Sequence, residues 1–116
     1  MTKIGSAFLP VSDPAAAAGW YQRTFGLTVE STDVWSAVLA DPSGRRLTLL
    51  GPASGIQAAP GLPWATHNLL VDDIDAAHAR LAAGNDRVGT LDGSAEVCRF
   101  FVMPDLDGNT LLICDR

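Results

Sequence analysis

A chain of 116 residues has room for one hydrophobic core of ordinary domain size and none for a second, independent domain. Its composition, 47% hydrophobic and 18% charged with no long Ser, Gln or charge run, favours a globular chain over a disordered one. A net charge of −5 with no cluster of Lys and Arg argues against nucleic acid or an acidic membrane surface as partner, because both are held by clustered cations, and suits a neutral or cationic small ligand.

In chain order, Met1 to Pro10 holds one lysine and too short an apolar run for a secretory segment. No stretch approaches the roughly 20 apolar residues of a membrane span, so a cytoplasmic protein is expected. An alternating run over about 3–11 predicts a strand that ends at Asp13, a residue suited to cap a helix. Pro14 follows at the first helical position, where its missing N–H costs no hydrogen bond. The helix is predicted over about 14–25, with Ala17, Trp20, Tyr21 and Phe25 as its apolar stripe. Strands are predicted at Leu27–Ser31, Val34–Ala40 and Arg46–Leu50, the last two joined by the turn Asp41-Pro-Ser-Gly44. Residues 52–63, rich in Pro and Gly and without a period, read as a linker.

The order then repeats. A strand over about 65–71 leads to Asp73 as cap, a helix over about 74–83 with Ile74, Ala77 and Leu81 buried, and Gly84 as its stop. Strands are predicted at Arg87–Thr90, Glu96–Met103 and Thr110–Cys114, with Asp105-Leu-Asp-Gly108 as the closing turn. Ser6–Asp13 matches Thr66–Asp73 at an offset of 60, and Asp41–Leu50 matches Asp105–Cys114 at 64, so duplication of one βαβββ unit is the economical explanation. Module one covers about 1–51 and module two about 64–116, within a single domain of 1–116. Cys98 and Cys114 are too few for a disulfide scaffold and lack zinc-ligand spacing, so two reduced, partly buried thiols are expected.

Strand parity separates two faces. The odd positions Ala7, Leu9, Val11, Leu47, Leu49, Leu69, Val71, Leu111 and Ile113 are wholly aliphatic, as expected beneath a helix. The even positions include Ser6, Phe8, Thr48, Leu50, Thr66, Asn68 and Leu112, a mixture of apolar area and polar anchors that suits a ligand-facing cleft. Trp35, expected in mid-strand, and Trp64, at the end of the linker, are placed to stack on a flat or cationic ligand. Glu30 and Glu96, expected on strands, are the carboxylates available as a general base if buried in an apolar site.

Val-Ser-Asp-Pro with Trp-Tyr-Gln-Arg-Thr-Phe-Gly in module one, and Val-Asp-Asp-Ile-Asp-Ala-Ala with Pro-Asp-Leu-Asp-Gly-Asn in module two, resemble the vicinal-oxygen-chelate superfamily of glyoxalases, bleomycin-resistance proteins and extradiol dioxygenases. The resemblance spans essentially the whole chain. It implies an α+β fold in which two βαβββ modules form a curved, mostly antiparallel sheet cleft with one helix per module on the convex face. It also implies metal ligands at Ser6, Thr48, Thr66 and Leu112, none of which is an imidazole, carboxylate or thiolate, so neither metal nor other cofactor is expected. His67 lies one residue from a ligand position, but a slip that made it a ligand would turn Leu69 and Val71 away from the helix, so it reads as a hydrogen-bonded structural residue. His78, in mid-helix, reads as a boundary residue.

Two function classes follow. The first is a metal-independent small-molecule-binding protein resembling the bleomycin-resistance members, with a cationic or aromatic ligand. The alternative is a glyoxalase-like lyase or isomerase, or a dioxygenase-related enzyme, that uses a side-chain base or differently placed metal ligands. A cleft filled by its own side chains, in a protein that is only an interaction module, is a third. The resemblance further implies a two-fold homodimer, with modules paired either within one chain or between chains.

Overall fold

In the computed structural model, which describes residues 1–116, the chain divides into two compact units, Met1–Gly61 and Leu62–Arg116. The first contains β1 (Ala7–Pro10), α1 (Pro14–Phe25), β2 (Thr28–Thr32), β3 (Ser36–Ala40), β4 (Arg46–Leu50) and a short 3-10 turn at Pro52–Ser54. The second contains β5 (Asn68–Leu70), α2 (Ile74–Ala82), β6 (Asp92–Ser94), β7 (Cys98–Pro104) and β8 (Thr110–Cys114). Each unit is thus one βαβββ module, and the fold is mixed α+β.

The sheets have the same topology. The first runs β1-β4-β3-β2 and the second β5-β8-β7-β6, with one parallel pair each, β1 with β4 and β5 with β8, and antiparallel pairs elsewhere. A parallel pair needs a crossover, and the helix of each module supplies it. Helix α1 begins where the Asp13 carboxylate accepts the Ala15 and Ala16 N–H groups at 3.1 and 3.4 Å. It ends at Gly26, whose φ of 72° is the left-handed cap conformation. Asp73 caps α2 in the same way through the Ala76 N–H at 3.0 Å.

The helices cover the odd faces. Leu9, Val11, Ala37, Leu39, Leu47 and Leu49 are buried in module one with Ala17, Ala18 and Tyr21 of α1. In module two, Phe101, Met103, Leu111 and Ile113 are buried with Ile74 and Leu81 of α2. Trp20 and Phe25 extend the α1 stripe by edge-on contact with each other at 5.9 Å, and Trp20 meets Tyr21 at 4.9 Å. Gly51 is buried where β4 leaves the sheet, and a Cβ there would stand 2.8 Å from Pro14 Cγ, so the close approach of this segment to α1 requires glycine.

Four expectations from the sequence are corrected. The first and fifth strands are shorter than 3–11 and 65–71, leaving Ser6 and Thr66 just outside them. Arg87–Thr90 is not a strand; the pairing partner of β7 is Asp92–Ser94. A tight turn over Ala95–Val97 sets this register, and it depends on Gly93, which has φ 83° and whose Cβ would strike the Cys98 carbonyl. Glu96 therefore sits exposed in that turn rather than on a strand. Trp35 is not in mid-strand but at the tip of the β2–β3 hairpin, where Asp33 Oδ1 accepts the Trp35 and Ser36 N–H groups at 3.0 and 2.8 Å.

Candidate functional site

The even face of module one carries an open depression of about 470 Å³ lined by Ser6, Glu30, Ser31, Val38, Arg46 and Thr48. Register explains how they meet. Phe8 pairs with Thr48 across the parallel β1–β4 ladder, and Val38 pairs with Thr48 across β3–β4, so these side chains share one face. The β2–β3 ladder slips between Val29 and Ser31, a bulge at Glu30 that brings both Glu30 and Ser31 to the depression.

Within it, Ser6 Oγ lies 2.7 Å from Thr48 Oγ1, and Arg46 Nε donates to Glu30 Oε1 at 2.9 Å. Both members of the ion pair are largely solvent-exposed, so it orients the two groups more than it stabilises the fold. The guanidinium keeps its remaining N–H groups, and Glu30 keeps a second oxygen, for a ligand. Phe8, 52% exposed on a sheet face, adds an aromatic surface beside the hydroxyl pair.

In module two, Asn68 is the register partner of Leu112, and both lie on the even face with Leu70, which is 57% exposed. Thr66 is not in the ladder; its hydroxyl lies 3.0 Å from His67 Nδ1. Leu50 and Leu112 are half-buried and Trp64 is exposed in the segment before β5. Trp35, opposite Gly51 in the continuation of the β3–β4 pairing, is in step with Ala37 on the helix side rather than with the even face. Ser6 and Thr48 are thus brought together with Phe8, and Asn68 with Leu112, whereas Thr66, Trp35 and Trp64 stand apart from these ladders. Arg46 shares the even parity of Thr48, and Glu30 is one of the two carboxylates expected on strands as a general base; their pairing was not legible in the sequence, since a bulge has no local signature as clear as a cap or turn.

Ser6, Thr48, Thr66 and Leu112, the positions to which the resemblance assigns metal ligands, do not fit a divalent cation. In module one the two hydroxyls are hydrogen-bonded to each other, and in module two one hydroxyl engages an imidazole while the other position is aliphatic. Nowhere do three His, Cys, Asp or Glu side chains gather closely enough to share an ion.

The two histidines differ in setting. His78 Nε2 lies 2.8 Å from the Gly89 carbonyl and its ring meets Phe101 edge-on at 4.8 Å, so it braces α2 against β7. His67 is half-buried, and its Nε2 has no hydrogen-bond partner. Burial lowers its pKa below the usual imidazole value, since the charged form is the one that loses hydration. A histidine whose folded pKa is depressed supports the fold fully above its unfolded pKa of about 6.5, and that support is lost as pH falls through this value toward the folded one. Melting temperatures of the wild type should therefore fall more steeply on acidification below about pH 6.5 than those of His67→Gln. Parallel curves for the two proteins would show that His67 is not the source.

No helix is long and apolar enough to cross a membrane. A search of curated protein sequences gave no match. Among solved structures, the chain is similar to a lactoylglutathione lyase from Agrobacterium tumefaciens, with a TM-score of 0.77 and 19% identity over 98% of this chain and 93% of that one. A glyoxalase/bleomycin resistance protein/dioxygenase superfamily member from Sphaerobacter thermophilus DSM 20745 gives 0.75 and 21%, covering 98% and 97%. The bleomycin resistance determinant encoded on transposon Tn5 gives 0.73 and 18%, covering 99% and 98%. Identities this low speak for the fold alone. The sequence model of one family, however, matches residues 3–113, and with the duplicated βαβββ unit seen in both sheets this chain belongs to the Glyoxalase/Bleomycin resistance protein/Dioxygenase superfamily.

Proposed function

We propose that this chain is a metal-independent small-molecule-binding protein of the bleomycin-resistance kind, a single domain of 1–116 that sequesters a cationic or aromatic ligand on the even faces of its sheets. The observation that carries this reading is the depression of module one, where the Ser6–Thr48 hydroxyl pair and the Glu30–Arg46 pair lie on the same face as the exposed Phe8 ring. An aromatic ring beside a hydroxyl pair, with a carboxylate on the far edge strand of the same face, offers both area and orientation to such a ligand. Ser6, Thr48 and Leu50 are the binding residues of the module-one face, and Thr66, Asn68 and Leu112 are those of the module-two face, each taken by itself. Trp35 and Trp64 are exposed rings outside these ladders whose fluorescence serves as the reporter of binding. Glu30, whose Oε1 already accepts the Arg46 Nε–H, is the side-chain base that the enzymatic alternative would require.

A cytoplasmic two-fold homodimer is part of the reading, supported by the exposed apolar side chains Leu70 and Val102 on the even face of module two. Native mass spectrometry of the purified protein should show the dimer mass without stoichiometric zinc, nickel, iron or manganese. In a panel of cationic aromatic compounds, at least one should change the tryptophan fluorescence, and Phe8→Ala should weaken it by about 1 kcal/mol or more. A tightly held divalent ion, lost together with thermal stability on chelation, or a panel that leaves the tryptophans unperturbed, sinks the proposal.

A further inference from the structure

The even face of module two also holds the chain's two thiols, which the ligand reading does not use. Cys98 opens β7 and Cys114 closes β8. Because Phe100 is the register partner of Cys114, Cys98 stands two residues along the neighbouring strand and on the same face, a diagonal cross-strand pair. Cys98 Sγ lies 3.6 Å from the Arg99 carbonyl and 3.4 Å from that of Arg116, two residues beyond Cys114, and the Cys98 thiol and the Asn68 amide, the latter on β5 at the other side of β8, both bear on the ionisation of Cys114. Neither thiol is in a disulfide; Cys114 is 3% exposed, and Cys98 is only half-buried.

We propose that Cys98 and Cys114 form a two-sulfur binding site for a soft monovalent metal ion of the Cu(I) class, with the Asn68 amide as the hydrogen-bond donor that orients the Cys114 thiolate. Three arguments select this occupant. A disulfide needs Cβ atoms about 3.5–4.5 Å apart. Diagonal neighbours in an antiparallel pair stand at about 7 Å, so oxidation would require β7 to shear along β8. A single ion with two metal–sulfur bonds of about 2.3 Å each instead holds the sulfurs about 4.5 Å apart, a span that suits a diagonal pair. Zinc and the harder divalent ions want four or more ligands, and no third His, Cys, Asp or Glu joins this pair, whereas soft thiolates select Cu(I).

The binding step balances without an oxidant. Each S–H bond gives its proton to solvent, two metal–sulfur bonds form, and neither sulfur nor metal changes oxidation state. Burial pushes the Cys114 thiol up, and the ion must displace its proton; affinity therefore rises with pH. Asn68 offsets part of the cost by donating to the thiolate, the role that outer-shell donors play at metal sites.

The test titrates the full chain with Cu(I) under argon against a chromophoric Cu(I) chelator, with Ag(I) as a second, redox-inert probe. Stoichiometric binding of one ion, release of two protons per ion and protection of both thiols from alkylation are expected. Cys98→Ser and Cys114→Ala, checked for native circular dichroism and melting, should each abolish it, and Asn68→Ala should weaken it without changing the stoichiometry. Failure of Cu(I) and Ag(I) to compete with the chelator, or binding that survives both cysteine substitutions, overturns the proposal. The site does not depend on the small-molecule reading, because the metal titration and the fluorescence screen are read separately.

Discussion

Replacing Leu49 or Ile113 with alanine should cost about 2–5 kcal/mol of folding stability, while replacing Phe8 with alanine should cost much less. Leu49 and Ile113 are both wholly buried at the centre of their sheets. Leu49 is flanked by Leu9 on β1 and Ala37 on β3, and Ile113 by Leu69 on β5 and Phe101 on β7. Truncation removes the transfer energy of three methyl or methylene groups and leaves a cavity that the surrounding strands, tied by their ladders, are poorly able to collapse. Phe8 is its opposite in parity and half exposed, so its truncation leaves the cores untouched. Urea denaturation of the three variants measures this. Equal destabilisation by all three would make the even face ordinary core and remove the support for a ligand there.

Asn109→Ala should destabilise by about 3 kcal/mol, more than a surface turn substitution ever does, and should expose the Leu62 amide to hydrogen exchange. Asn109 is wholly buried and works in two directions. Its Nδ2 donates to Asp105 Oδ2 at 3.0 Å and its Oδ1 accepts the Leu62 N–H at 2.9 Å. Asp105 Oδ1 meanwhile accepts the Asp107 and Asn109 N–H groups, each at 2.9 Å. Thr110 N–H then donates to the Leu62 carbonyl at 2.8 Å, so the segment leading into β5 is strapped to the β7–β8 turn. Losing the amide removes one donor from the buried Asp105 carboxylate and takes the acceptor away from the Leu62 N–H. If Leu62 keeps its protection and stability falls by no more than a few tenths of a kcal/mol, the strap is not what holds the segment.

In module one the corresponding turn is simpler. Asp41 Oδ1 accepts the Ser43 N–H, the Ser43 hydroxyl and the Arg45 N–H at 2.8 to 2.9 Å. The Ser43 hydroxyl holds the Asp41 carboxyl below the ordinary carboxylate range. Arg45 stands where Asn109 stands in module two and is exposed. The repeat at offset 64 was therefore legible as a turn in both copies, while the amide strap of one copy was not: Asn109 reads in sequence as one more turn-forming residue, and its partner Leu62 is 47 positions away.

The amino-acid sequence by itself determined the duplicated unit, the helix starts at Pro14 and Ile74, the turn residues and the division of most strand residues into core and open faces. These depend on interactions within a few positions: a carboxylate capping the next turn, a left-handed glycine, side-chain alternation along a strand. Only the tertiary structure decided that β6 is Asp92–Ser94, that the bulge at Glu30 brings Glu30 to Arg46, that Trp35 rides a hairpin tip, and that Cys98 stands diagonal to Cys114 on neighbouring strands. The physical reason is register. Which residue of one strand faces which of the next is set by hydrogen bonds between segments far apart in the chain, and one inserted residue changes which side chains meet without altering any local pattern.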